Sequence, residues 1–322
     1  MPKQAYALIV ILFTVFCADK SIAAPVRIDD CKIGQQLNLP IYEWVDKSMP
    51  RKGTIVAVHG LTLYADCWDK CARHLAANGF RVFALDQRGF GRWNTEGSKF
   101  GGDDKIEISQ SQQDLLDFVI TLRQTHPNQK LFLLGESLGS NMALLLISEH
   151  PELVDGAILS ALCYKNRVHA KPGHWLKDFA KEVVKPNAPV NLIPYSAPYL
   201  TNDPIVAKAC NADPMIDRTM TPEDLVKIDI LNNKAISAAK SLPASFPLLF
   251  ISGLQDAMFK SVDLPNLMLK LGSKNVSLRL IKGKGHLLLE HQKVDPQISA
   301  IIDTWLSKQL KDGRTAKASV PN

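Results

Sequence analysis

The chain lacks most of what marks a specialised architecture. Its 322 residues contain no G-x-x-x-x-G-K-[ST] and no H-E-x-x-H, so phosphate-loop and zinc-protease readings of those types have no support. With 18 glycines and 19 prolines it is not a collagen-like or low-complexity chain. Charge of one sign is scarce too. The 38 Lys plus Arg and 32 Asp plus Glu leave +6, mild for this length and no argument for nucleic acid, where a clustered basic face is expected. The one long apolar run, Ala5 to Ala18 with only Thr14 interrupting, falls short of the ~20 residues of a membrane span. No internal repeat is present. What remains is a composition with 46% hydrophobic residues, enough apolar surface to exclude disorder as the default.

The apolar run follows Lys3 and leads into Ser21-Ile22-Ala23-Ala24, the pattern of a secretory signal. Residues 1–24 are expected to be a signal peptide and the protein to be exported, periplasmic or secreted. An anchor left uncleaved in the membrane is the alternative. Removing the signal removes Cys17 and leaves Cys31, Cys67, Cys71, Cys163 and Cys210. Five is odd, and Cys163 with Cys210 is the first choice for a disulfide in an oxidising compartment. Cys67, Cys71 and His74 share one helical face. Zinc sites usually draw on more than one element, so that face is read as a buried helix stripe and no metal is expected.

Apolar runs then alternate with amphipathic ones. Strands are expected over 54–59, 80–85, 130–134 and 154–160, and helices over 65–78, 106–121 and 141–150. Strand and helix alternating at this spacing imply parallel βαβ units, an α/β fold with a mostly parallel central sheet flanked by helices. From 163 to about 245 the rhythm breaks into helical stretches rich in Pro and Asn. It resumes with strands over 247–252 and 276–281 and helices over 262–271 and 295–310. A helical insertion therefore splits the sheet. The polar end, 312–322, is expected to be a disordered tail.

Gly135-Glu136-Ser137-Leu138-Gly139 falls at a strand-to-helix junction. A sharp turn there needs small residues on both sides of the serine, and it lifts the hydroxyl above the sheet edge. It also puts the Leu138 N–H at a helix N-terminus, where positive potential suits an oxyanion. A serine needs an adjacent base, and the candidate is His286 in Lys282-Gly283-Lys284-Gly285-His286, just past a strand end. The base needs an acid, and Asp256 follows the strand after the insertion. Asp263, its rival, begins a helix and reads as a cap. A second oxyanion donor should come from the loop Val58-His59-Gly60-Leu61, through the Leu61 N–H. His59 reads as ordering that loop, and the segment Arg88 to Arg92 as ordering the next one rather than cradling phosphate.

His59-Gly60, Asp86-Gln87-Arg88-Gly89-Phe90-Gly91-Arg92, the nucleophile turn, Gly253-x-x-Asp256 and Gly285-His286 together resemble the monoacylglycerol lipase and lysophospholipase branch of the α/β-hydrolases, which is serine aminopeptidase S33-like. The resemblance runs from about residue 40 to 310. It implies an α/β-hydrolase fold with core segments 25–162 and 247–311 around a helical cap, 163–246, in which Asn202-Asp203-Pro204 is similar to a recurring cap segment. Departures are Ser140 where a second glycine is usual, Phe90 and Trp93 where a histidine and a serine are usual, and Ala257-Met258 after the acid.

The implied activity is hydrolysis of carboxylic esters of lipid-like substrates, monoacylglycerol or lysophospholipid, through Ser137, His286 and Asp256 with no cofactor. Alternatives on the same fold are a short-chain carboxylesterase, an aminopeptidase, a thioesterase or an acyltransferase. A non-catalytic binding protein is the alternative of a different class. Leu192, Ile193, Tyr195, Tyr199 and Leu200 are candidates for lining an acyl tunnel. The stretch 174–185 places Trp175, Leu176, Phe179 and Val183 on one helical side and Lys177, Lys181 and Lys185 on the other, which suits either contact of the cap with a membrane surface or packing of the apolar side on the core with the lysines in solvent.

Overall fold

A computed structural model describes residues 24–165, 189–192, 199–216, 219–291 and 293–312. Residues 1–23 of the expected signal, the lysine-striped stretch 174–185, Ile193, Tyr195 and tail residues 313–322 lie outside the described residues.

The described strands are β1 (Val26–Ile28), β2 (Ile41–Val45), β3 (Gly53–Val58), β4 (Phe80–Leu85), β5 (Leu131–Glu136), β6 (Gly156–Ser160), β7 (Val190–Asn191), β8 (Thr219–Met220), β9 (Leu248–Gly253) and β10 (Val276–Ile281). Among the described residues, eight of them form one sheet in the order β1-β2-β4-β3-β5-β6-β9-β10, and β7 pairs with β8 in the insertion. From β4 to β10 every neighbouring pair in the large sheet is parallel. The strands β3, β5, β6 and β9 are buried along their whole length, as expected of parallel strands covered on both faces.

Alternation within each strand builds two cores. On β3, Val56 and Val58 join Phe83, Phe118, Leu133 and Phe250 on one face, while Ile55 and Ala57 join Trp44, Leu75, Phe132 and Trp305 on the other. The first face is covered by the helices Ile108–Thr125 and Leu138–Glu149, the second by Asp69–Ala77 and Pro296–Lys311. The helix Leu138–Glu149 is apolar on nearly every side because it is covered on every side. Its outer surface packs under Pro222–Ala238, a helix begun by a capping box in which Thr221 and Asp224 exchange hydrogen bonds.

β1 and β2, for which the periodicity gives no expectation, extend the sheet antiparallel beyond β4. Glu43 breaks the apolar run of β2. It is nonetheless buried, because Arg81 on β4 holds it through two hydrogen bonds of 2.6 and 2.9 Å.

The described cysteines are buried thiols, which overturns the expected Cys163–Cys210 bridge. Cys163 lies against Ser137, whereas Cys210 joins Leu63, Cys67, Val206, Ile216 and Leu287 in a small cluster at the base of the insertion. Cys71 faces the second core, and His74 bonds to Asp303 at 3.0 Å.

Candidate active site

Four of the parallel strands end on one edge, and the loops that follow them build the site. Ser137 follows β5 with φ +54° and ψ −122°, a backbone conformation that costs energy for any residue with a side chain. Its neighbours explain why the chain accepts that cost. A side chain on Gly135 would meet the Gly139 carbonyl oxygen at 2.4 Å, and one on Gly139 would meet the Val58 oxygen at 2.0 Å. The two glycines let β5, β3 and the helix Leu138–Glu149 close to backbone contact, and the serine is left at the apex. Ser140 sharpens the turn where a glycine is usual. Its hydroxyl donates within reach of both the Gly135 and Ser160 carbonyls, at 2.8 and 2.6 Å.

His286 arrives from the loop after β10. Gly253, at the end of β9, makes room for it, since a side chain there would meet the Gly285 oxygen at 2.1 Å. The two loops interlace: Gln255 N–H donates to the Lys284 carbonyl at 2.9 Å, and Gly283 N–H donates to the Gln255 side chain at 2.6 Å. From the other direction the Asn202 side chain donates to the Gly283 carbonyl at 2.8 Å and accepts from Gly285 N–H at 3.0 Å. Leu287 N–H donates to the Leu200 carbonyl at 2.8 Å. The Asn-Asp-Pro segment of the insertion therefore clamps the histidine loop.

The three residues singled out in sequence meet. The His286 Nε2 atom lies 2.9 Å from Ser137 Oγ, and its Nδ1 lies 2.9 Å from Asp256 Oδ2. A carboxylate only accepts, so Nδ1 carries the proton and Nε2 is left to accept the serine hydroxyl. The other Asp256 oxygen accepts from Met258 and Phe259 N–H at 2.8 and 3.0 Å. Burial alone would raise the Asp256 carboxyl, but the His286 hydrogen bond and charge, with those two amides, pull it below its ordinary value. Asp263 lies elsewhere, 3.8 Å from Lys165.

Leu138 opens its helix, where a backbone N–H has no intrahelical carbonyl to meet. Leu61 lies in the turn after β3, and the neighbouring Gly60 packs against Ser137: a side chain on Gly60 would stand 3.3 Å from Ser137 Cβ. His59 orders that turn. Its Nδ1 faces the Gly60 carbonyl at 2.9 Å, and its Nε2 accepts from Gln87 N–H at 2.9 Å. Complete burial lowers its pKa to about 4, so the ring stays neutral at pH 7. The loop after β4 is tied inward by Arg88 to Asp114 and Arg92 to Asp30, with Phe90 and Trp93 buried in the first core.

Of the tunnel candidates, Leu192 packs against the first core, Leu200 against the small cluster beside Leu287, and Tyr199 is exposed. Three residues at the site carried no functional reading in sequence: Glu136, Glu290 and Cys163. Glu136 was visible as a charge inside a buried turn. The Cys163 thiol sits 3.7 Å from Ser137 Oγ, held by Asn141, which bonds both its N–H and its carbonyl.

The family profile of serine aminopeptidase S33 matches residues 49–293. The chain is 25% identical to a monoacylglycerol lipase of Mycolicibacterium smegmatis over 276 residues, covering 83% of this chain and 92% of that one. It is 27% identical to the human monoglyceride lipase over 277 residues, covering 85% and 88%. Among solved structures it is similar to a soluble variant of the monoglyceride lipase from Saccharomyces cerevisiae in complex with a substrate analog, with a TM-score of 0.70, 17% identity, and 90% and 97% of the two chains covered.

Proposed function

The chain belongs to the serine aminopeptidase S33 family of α/β-hydrolases, and on that premise we propose that it hydrolyses carboxylic esters of lipid-like alcohols, monoacylglycerol or lysophospholipid, through an acyl-enzyme on Ser137. The observation that carries this reading is the unbroken hydrogen-bond path from Ser137 through His286 to Asp256, set beside the lipases it resembles. Ser137 Oγ attacks the ester carbonyl as His286 Nε2 takes its proton. The tetrahedral oxyanion is met by the N–H groups of Leu61 and Leu138. The imidazolium, stabilised by Asp256, then returns the proton to the leaving alcohol. Water, activated by the same imidazole, releases the fatty acid. The acyl chain is received by the insertion, from which Leu192, Tyr199 and Leu200 are the described candidates. The protein is exported, and the lysine-striped part of the insertion rests on a membrane surface.

The test is a series of glyceryl esters from acetyl to palmitoyl, assayed below micelle formation, with Ser137→Ala as the control. Turnover rises with chain length, by up to ~0.8 kcal/mol per buried methylene in transition-state stabilisation. The Ala variant retains under about a thousandth of the rate. Faster turnover of acetyl than of dodecanoyl esters would make the protein a short-chain esterase. Activity confined to aminoacyl amides would make it a peptidase. Vesicle flotation tests the membrane contact separately, and the mass of the mature chain tests export, with a start near residue 24 expected.

A further inference from the structure

Beneath the nucleophile lie two fully buried carboxyl groups that the proposed reaction does not use. Glu136, the residue before Ser137, is fully buried. One of its oxygens accepts from the Ser160 hydroxyl at 2.7 Å, from Leu288 N–H at 3.0 Å and from Leu289 N–H at 3.2 Å. The other accepts from Leu289 and Glu290 N–H at 3.1 and 2.9 Å. Three consecutive amides just past His286 are thereby fixed to the strand that carries Ser137. Glu290 continues the chain of contacts. Both its oxygens lie 3.1 Å from Gly60 N–H, in the turn that presents Leu61. A side chain on Gly60 would stand 3.1 Å from Glu290 Oε2 and 3.3 Å from Ser137 Cβ, so the glycine is held between the carboxyl and the nucleophile. Among the described residues neither carboxyl has an ion pair. Burial raises both, and burial with the added repulsion of the nearby Glu136 carries Glu290 well above its ordinary value.

Apolar side chains here would leave the amides of Gly60 and of Leu288 to Glu290 buried without an acceptor, so the pair holds structure in any case. It also joins, in one relay, the three segments whose relative placement decides whether an attacking oxygen, a base and an oxyanion donor line up. We propose that Glu136 and Glu290 are positioning residues of the hydrolytic site. Glu136 fixes the histidine loop to the nucleophile turn, and Glu290 fixes the oxyanion turn to both by accepting the Gly60 N–H. The inference rests on the proposed ester hydrolysis. Its specific content is that Glu290 serves as a hydrogen-bond acceptor, not as a charge. A neutral amide oxygen can do the same work, and an apolar side chain of similar size cannot.

The test compares wild type, Glu290→Gln and Glu290→Met on one soluble monoacyl ester, with rates expressed per site titrated by a fluorophosphonate so that misfolded protein drops out. Glu290→Gln holds kcat within about threefold of wild type. Glu290→Met lowers kcat by about 10- to 100-fold per titrated site with KM within twofold, because one oxyanion donor is displaced and the loss of such a donor costs up to ~10²–10³. If Glu290→Met matches wild type per titrated site, the role is only structural and the proposal falls. If Gln is as impaired as Met, or if the change is in KM alone, it falls as well. Wild type inactive on every ester would overturn the proposed function, and this proposal with it. Wild type active and Ser137→Ala inactive, with Met unaffected, would overturn this proposal alone.

Discussion

The two flanks of His286 hold buried carboxyls in opposite conditions. On the near flank Asp256 faces the imidazole, and on the far flank Glu136 and Glu290 accept from backbone amides and a hydroxyl. Burial pushes all three up. Only Asp256 is brought back below its ordinary value, because its partner is a ring that can become a cation. One flank is therefore built to support a charge that appears during the reaction. The other is built to hold geometry without demanding one.

The sharpest way to break this contrast is to neutralise each flank in turn. Asp256→Asn keeps the shape but can no longer hold the Nδ1 proton against a full charge, and kcat on esters should fall by about 10⁴, while Glu290→Gln changes little. Equal losses in steady-state assays of the two variants would erase the distinction. A smaller effect tests how firmly the near flank is held. Asn202→Ala removes two hydrogen bonds from the loop Gly283–Gly285, each worth about 1 kcal/mol. A drop in kcat of roughly tenfold is expected, with the circular dichroism spectrum unchanged. An unaltered kcat would show that the interlaced loops alone position His286.

The smallest effect is one of pH. Asp256, lowered in the fold, contributes stability that is present above its ordinary value of 3.8 and lost as pH falls through its folded value. Glu290, raised in the fold, contributes stability that is present below its ordinary value of 4.5 and lost as pH rises through its folded value. Urea midpoints measured from pH 4 to 8 should therefore show Glu290→Gln gaining on wild type as pH rises. Parallel curves for the two proteins would mean that the far flank does not hold an unwilling charge.

How much could be read from sequence follows the same division. The nucleophile turn, Gly285-His286 and Asp256 were legible because each is a local solution: a strand end, small residues and one functional side chain within a few positions. The parallel strands were legible because full burial makes them continuous apolar runs. The edge was not, since β1 has three residues and β2 carries a glutamate whose partner, Arg81, is 38 positions away. The far flank was hidden for the same reason. Glu136 meets the amides of 288–290 across more than 150 residues, and Glu290 meets Gly60 across 230. Nothing in the local pattern marks such pairings. The disulfide expectation failed because it used compartment and count alone, which say nothing about which thiols the fold brings together.

The Asn202 side chain reaches both Gly283 and Gly285, and Asp203 beside it caps the helix Pro204–Ala212. A link of that kind ties any movement of the helix to the histidine loop. Any swing of this helix away from the core must either carry the histidine loop with it, pulling the base off Ser137, or first part from it. If the insertion moves to admit a substrate and leaves His286 in place, it turns on some other joint. If it opens at Asn202, each opening also switches the catalyst off, and an enzyme gaping to the solvent would be an idle one.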